Sequence, residues 1–306
     1  MQPYSGKWLR DPECLLFEVI GAVAKITLNR PEKRNALSNQ LLRELQAALL
    51  EADDRQDVHA ILLEGAGKDF CAGYDLASSY EKWHQEQDGE TDGQNTISYR
   101  PSGGNFDDDC WSMERFQSIP NLIYDMHKPV IAKLHGNCLA GGTDIALRCD
   151  MVVAAEDARI GFPATRANGS PPAHMWTYHV GPQWAKRLLL TGDTILGRDA
   201  AKIGLVLDAV PAEELDDFAM DLAARVALID PDLNATQKRI VNLAMEQMGM
   251  MTMQRLAIEM DARAHLTTGP RRTRFKADMR ESGLKEALKN RDEPFGDNII
   301  KLRVNR

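Results

Sequence analysis

Two short glycine-containing turns carry the residues best suited to chemistry. FCAGYDL (70–76) and HGNCLAGGTDIAL (135–147) each place small residues directly after an apolar run, where a tight turn leaves backbone N–H groups unpaired. Gly141 and Gly142 precede a predicted helix whose first N–H groups lack intrahelical acceptors and whose positive dipole end points at the turn. Two such turns facing each other can hold one carbonyl oxygen between two N–H groups. That is an oxyanion hole, which stabilises negative charge developing on a carbonyl. A tight turn needed only for packing is the competing reading of each motif taken alone. No His, Cys and Asp grouping has metal-site spacing, so no metal is expected. Asp75 is read as capping the backbone of its own turn, and Asp150 as fixing a loop.

These turns need strands and helices to hold them. LLFEVIG and AVAKITLN (15–29) are β-rich runs meeting around Gly21, which predicts a hairpin. After the polar loop NRPEKRNALS, Ser38 is placed to cap a helix, with Leu41, Leu42, Leu45, Ala48 and Leu49 at helical spacing through about Asp53. VHAILLEG (58–65) reads as a buried strand feeding the first turn. A helix over about 111–126 leads to KPVIAKLHG, a strand beginning just after Pro129. GNCLAGG turns into the helix TDIALRC, and DMVVAAE returns as a strand. This alternation predicts a layered α/β core. After LVLDAVP, near 211, the strands stop and residues 212–291 read as helical. The predicted division is an α/β core over 1–211 and a helical C-terminal region over 212–306. Residues 77–109, acidic and poor in apolar groups, read as a mobile insertion. Met245, Met248, Met250, Met251 and Met253 are assigned to core or subunit packing.

Composition narrows the classes of function. Hydrophobic residues make up 43% of the 306 and charged residues 27%, which excludes a disordered or fibrous chain. With 37 basic against 45 acidic residues the net charge is −8, which argues against a general nucleic-acid binder; an anionic small ligand would need a local basic patch. No apolar run reaches the roughly 18 residues of a membrane span. MQPYSGKWLRDPE lacks an apolar export signal, and a cytoplasmic protein is expected. Cys14, Cys71, Cys110, Cys138 and Cys149 form an odd set without CxxC spacing, read as reduced and mostly buried thiols.

The chain resembles the crotonase, or enoyl-CoA hydratase/isomerase, superfamily. The likeness is carried by ITLNRPEKRNALS, ILLEGAGKDFCAGYDL, HKPVIAKLHGNCLAGGTDIALRCDMVVAAEDARIGFP, KRLLLTGDTILGRDAAKIGLVLDAVP and GLKEALKNRDEPFGD, in that order. It implies an α/β spiral of ββα units with a C-terminal helical oligomerisation region, assembling as a homotrimer or a dimer of trimers. The implied substrate is an acyl-CoA thioester; coenzyme A belongs to the substrate, and no separate cofactor is expected. The backbone N–H groups of Tyr74 and Gly141 would hold the thioester oxygen, and Ala72 and Gly142 would line the same hole. Polarising a thioester stabilises an enolate and makes its α- and β-carbons reactive. Lys33, Arg34 and Ala36 match the loop beside the CoA nucleotide, with Lys33 and Arg34 supplying positive charge. Arg271, Arg272, Arg274 and Lys276 form a second basic cluster, read either as a solvated face or as reaching a neighbour's CoA.

The resemblance breaks at the two glutamates of a hydratase, which position a water and move its proton. AGGTD puts Asp144 at the first position, a carboxylate still competent as acid or base but shorter by about 1.5 Å. Gly161-Phe162-Pro163-Ala164 puts alanine at the second, and alanine has no proton to exchange. Dienoyl-CoA isomerases of the family also carry Asp after the glycine turn, but their further acidic partners fall at Ala164 and Pro172 here. Three readings stay open. Asp144 manages proton transfer at C2–C3, with Thr165, Arg166, Asn168, Ser170 or His174 in reserve. Alternatively, the hole serves thioester hydrolysis or carbon–carbon cleavage. In the third, the chain binds acyl-CoA without turnover. His174 is read as entering a helix at the acyl pocket or as a bystander; His127, His135 and His179 are less well placed.

Overall fold

Leu15–Ile20 (β1) and Val23–Leu28 (β2) form the expected antiparallel hairpin, with Leu15 opposite Leu28 and Ile20 opposite Val23. The computed structural model describes residues 4–76 and 105–302. β1 alternates in exposure as an edge strand does, whereas β2 is buried on both faces except near Lys25. Ser38 caps Asn39–Asp54 (α1), its Oγ accepting from the Leu41 N–H at 3.2 Å. Leu41, Leu42, Leu45, Ala48, Leu49 and Ala52 recur on the buried face of α1, which packs on β1 and β2. Burial of each large aliphatic side chain contributes roughly 1.5–3 kcal/mol.

Ala60–Gly65 (β3) runs parallel to β2. Of the insertion expected at 77–109, residues 77–104 lie outside the described residues, and the rest is not insertion. Asn105 caps a helix, Phe106–Asp125 (α2), by accepting from the Asp108 N–H at 2.9 Å. Asp107, Asp108 and Asp109 stand in its first turn, where carboxylates suit the dipole. The acidic run disguised a helix start five residues ahead of the expected one.

Val130–Leu134 (β4), Asn137–Leu139 (β5), Gly141–Ala146 (α3) and Met151–Ala155 (β6) follow, then Arg159–Gly161 (β7), Trp176–Thr191 (α4), Thr194–Leu196 (β8), Gly197–Lys202 (α5) and Asp208–Val210 (β9). The first sheet has the order β1-β2-β3-β4-β6-β9, parallel after the hairpin. Leu215–Ala227 (α6) lays Leu215, Ala219, Ala223 and Ala227 across it. Pro231–Gln247 (α7), Met250–His265 (α8) and Pro270–Asp292 (α9) complete the helices. Between α7 and α8 the chain turns at Gly249, whose φ of +83° an L side chain rarely adopts.

Strands do not stop near 211. Ile299–Ile300 (β10) pairs in parallel with β8, closing a second sheet of order β10-β8-β7-β5. A two-residue strand offers no periodicity to read. The two sheets and their helices wind as the expected α/β spiral of ββα units with a helical C-terminal region. α8 packs along α2, and α9 packs on a 3-10 turn at Pro163–Arg166, so both helices close over their own chain. All five cysteines are free thiols, with Cys71, Cys138 and Cys149 buried. Of the methionines assigned to packing, Met250 is buried and Met248 is exposed.

Candidate active site

Backbone hydrogen bonds lace the 30–37 loop, the 70–76 turn and β5 side by side. Phe70 N donates to His135 O at 2.9 Å, Cys71 N to Asn137 O at 3.0 Å, and Leu139 N to Cys71 O at 2.9 Å. On the other flank Ala72 N donates to Arg34 O, Leu37 N to Gly73 O and Asp75 N to Leu37 O. Among the described residues, nothing accepts from the backbone N–H of Tyr74 or of Gly141. These are the two amides singled out in the sequence. Their turns abut: a Cβ on Gly73 would lie 3.3 Å from Gly141 N and 2.9 Å from Ala140 Cβ, and Gly73 has a φ of +105°. Gly142 is equally confined, since its Cβ would stand 2.8 Å from Cys71 O. Ala140, just before the second amide, holds φ +48° and ψ −119°, a conformation that costs an alanine on the order of 1–3 kcal/mol. The predicted helix after it is only the six residues of α3, fewer than two turns, so its dipole adds little. The hole rests on the N–H groups themselves.

Asp144 stands in the first turn of α3 and is 1% exposed. Its Oδ2 accepts from the Tyr74 hydroxyl at 3.0 Å; Oδ1 is buried with no hydrogen-bond partner among the described residues. The Tyr74 ring lies over Gly141, where a Cβ would come within 2.9 Å of it, and tilts against Phe116 of α2 at 5.9 Å between centroids. Burial pushes the Asp144 carboxyl far above the usual carboxylate range. The Tyr74 hydroxyl pulls the other way, the charge of Asp261 adds to the rise, and the Ala173 N–H opposes it. Burial, then the neighbouring Asp144, also pushes the Tyr74 phenol up. Burial therefore favours the protonated form of Asp144 over the ionised one.

The other expected site residues divide. Lys33 is exposed at the end of a 3-10 turn, but the Arg34 guanidinium is engaged by buried Asp69 at 2.6 Å. Asp69 also accepts from the Asn137 N–H, so Arg34 and β5 share an anchor. Ala36 O accepts from Arg30, and Ala72 and Gly142 sit in the laced turns. Ala164 lies in the 163–166 turn, its carbonyl accepting from the Asn168 N–H at 2.7 Å.

The remaining candidates have partners within the chain. Asp75 pairs with Arg30 at 3.1 Å, tying its turn to the 30–37 loop. The His174 ring meets Thr177 at 2.7 Å on an exposed side, while its backbone is held by Gln254. Arg166 is consumed by Asp193 and Asp292, and Asn168 by Arg272 and Arg291. Within the basic cluster Arg271 and Arg274 are exposed, as a solvated face expects, while each also has a partner in the chain: Arg271 donates to Arg291 O, Arg272 to the carbonyls of Ala167 and Asn168, and Arg274 pairs with Asp278. Asp150 does fix a loop, accepting from the Val130 N–H and from Lys238. His127, His135 and His179 bond to Asp53, Gly67 O and Leu147 O.

Two groups escaped the sequence. One is the Tyr74 side chain, valued there only for its amide. The other is Asp261 on α8, buried, with its carboxyl pushed up to about 6 because burial outweighs the opposing charge of His265. The Asp261/His265 pair at i,i+4 in EMDARAH was the available signal.

The sequence matches the Enoyl-CoA hydratase/isomerase family over residues 18–295. The chain belongs to that family. A short-chain-enoyl-CoA hydratase of Clostridium acetobutylicum is 32% identical over 241 residues, 76% of this chain and 82% of that protein. The crystal structure of an enoyl-CoA hydratase from Mycobacterium smegmatis superposes with a TM-score of 0.82 at 40% identity, covering 94% of this chain and 95% of that one. An enoyl-CoA hydratase/isomerase structure from Xanthobacter autotrophicus Py2 gives a TM-score of 0.80 at 33% identity, with 92% and 98% covered. Family membership brings the crotonase fold and enoyl-CoA hydratase/isomerase-type chemistry on acyl-CoA. Among the described residues, no helix is long and apolar enough to cross a membrane.

Proposed function

We propose that the protein isomerises an enoyl-CoA, with the Tyr74 and Gly141 amides holding the thioester oxygen and Asp144 moving the proton. The observation that carries this reading is the buried Asp144 carboxyl, one oxygen bonded by Tyr74 and the other unpartnered among the described residues, behind two unused amides. In its ionised form Asp144 takes a proton from C2 of a 3-enoyl thioester. The C–H electron pair passes into a dienolate whose charge rests on the thioester oxygen, where the two N–H groups bear it. Returning the proton at C4 leaves the double bond conjugated at C2–C3. The Tyr74 hydroxyl favours the ionised carboxylate that must be present before the first transfer and is restored after the second.

Water addition is the second reading, favoured by the hydratase relatives. Ala164 weighs against copying the two-glutamate route. We also propose that a second copy of this chain covers the C-terminal helices, in a trimer or a dimer of trimers.

Incubation with 3-hexenoyl-CoA and with crotonyl-CoA separates the readings, since isomerisation conserves mass and hydration adds one water. Asp144→Asn should lower turnover by about 10²–10⁴-fold while leaving CoA-ester affinity nearly unchanged. Undiminished turnover in that variant removes Asp144 from the mechanism.

A further inference from the structure

Asp261 belongs to α8, in a region the sequence reserves for helical packing, yet it is buried and its charge acts on both Asp144 and Tyr74. Its Oδ1 accepts from the Ser170 N–H at 2.8 Å, and His265, one turn along, brings Nε2 to 3.6 Å from the same oxygen. The other ring nitrogen of His265, Nδ1, meets Asp109 Oδ2 of α2 at 2.8 Å. Gly169 leaves the room for this chain of groups: a Cβ there would overlap Asp261 Oδ1 and stand 2.9 Å from His265 Nε2. The segment from Gly169 to Ala173 joins the two carboxyls, with the Ser170 N–H on Asp261 and the Ala173 N–H directed toward Asp144. It follows directly on the 163–166 turn that carries Ala164.

Packing alone does not account for this. Two carboxylates and an imidazole buried together are harder to accommodate than apolar side chains of the same volume. Asp144 Oδ1 is buried with no hydrogen bond among the described residues.

We propose that Asp261 is the second proton-carrying carboxyl of the acyl site, supplied by α8 where Ala164 has no side chain to offer, and that His265 and Asp109 position it. This rests on the isomerase reading and deepens it. Asp144 and Asp261 hold one proton between them. The ionised member removes the C2 proton, the protonated member delivers its own to C4, and transfer between the two restores the starting state. The groups facing Asp261 are His265 from its own helix, Asp109 from α2, Arg272 from α9, and Asp144 and Tyr74 from the glycine turns. The negative charge of Asp261 raises Asp144; burial opposes protonation of His265, but Asp109 and Asp261 outweigh it.

The test measures 3-hexenoyl-CoA isomerisation against pH in the full chain, with butyryl-CoA affinity as the binding control. Asp261→Asn should lower kcat on the order of 100-fold with affinity held within about twofold. It should also move the acidic limb of kcat/KM to lower pH, because Asp144 loses a negative neighbour. A merely structural aspartate would also move that limb through its charge but would leave kcat near the wild-type value, so the fall in kcat at unchanged affinity is the deciding readout. Gly169→Ala, which displaces Asp261 without removing it, should lower kcat in the same way, and His265→Gln should lower kcat by about 10-fold at unchanged KM. Wild-type kcat in Asp261→Asn, or in His265→Gln should the first variant not fold, overturns the proposal whatever the pH profile does. If Asp144→Asn is inactive while those variants are normal, this inference alone falls; if Asp144→Asn is itself fully active, the isomerase reading falls with it.

Discussion

Burial raises the carboxyls of Asp144 and Asp261, and this reverses the usual dependence of stability on pH. Between the ordinary carboxylate value and the raised one, the folded chain keeps a proton that the unfolded chain has released. The unfolded state then binds fewer protons, so stability falls as pH rises through that window. For Asp261, raised from 3.8 to about 6, the window runs from about pH 4 to about pH 6. The loss there reaches roughly 3 kcal/mol at most. Asp261→Asn keeps the shape and the acceptor for Ser170 but cannot ionise. Relative to the wild type it should gain stability across this window and be the more stable protein at pH 7. Urea unfolding of both at pH 4 and pH 7 measures the difference; equal differences at the two pH values would contradict the argument. A variant that is more stable and less active is the signature of a group kept for chemistry rather than for packing.

At the scale of elements, α7 is fastened to the first sheet by one buried cation. Lys238 Nζ donates to Ile123 O at 2.7 Å, to Lys128 O at 3.2 Å and to Asp150 Oδ2 at 2.9 Å, and Asp150 also receives the Val130 N–H that opens β4. Lys238→Met leaves the Asp150 carboxylate buried without its cation, and should destabilise by about 3–5 kcal/mol. Adding Asp150→Asn should recover part of that loss, and thermal unfolding of the two variants checks it. The halves of this link were legible to different degrees. Asp150 ends a strand-like run and read as a loop anchor, whereas Lys238 read as one charge among many on a helix. The capped helix α1 and the hairpin were legible because apolar spacing and a cap are local signals. The start of α2 was not, because its acidic first turn looks like solvated chain until Asn105 caps it and tertiary contacts bury Asp108 and Asp109.

Across the whole molecule, the C-terminal helices face two ways. Toward their own chain they bring Asp261 and Gln254 to the loop that follows Ala164. Outward they leave Ile240, Val241 and Leu243 of α7 and Leu256 and Met260 of α8 exposed, with Ile240 at 61% and Val241 at 60%. Exposed apolar side chains in this number call for a partner, and a second copy is the occupant we propose. Light scattering on the purified protein should give a multiple of the chain mass, and Ile240→Lys with Val241→Lys should reduce it toward one chain. A wild-type protein that scatters as a single chain would exclude the assembly.

The order of residues alone was enough for the alternation of strands and helices, the two glycine turns and the position of Asp144 just after the second; the α/β spiral and the roles assigned to the Tyr74 and Gly141 amides came with the motifs shared with the crotonase superfamily. The first group depends on spacing along a short stretch, where period and turn chemistry are written in neighbours. Folding alone revealed that Arg34 is claimed by Asp69, that His174 turns to Thr177, and that the Tyr74 hydroxyl reaches Asp144. It also carried Asp261 from the far end of the chain to the Ser170 N–H, in the loop that follows Ala164. A carboxyl's role depends on what desolvates it and which charges surround it, and those neighbours come from α2, α3 and α9, which meet only once the chain has closed on itself.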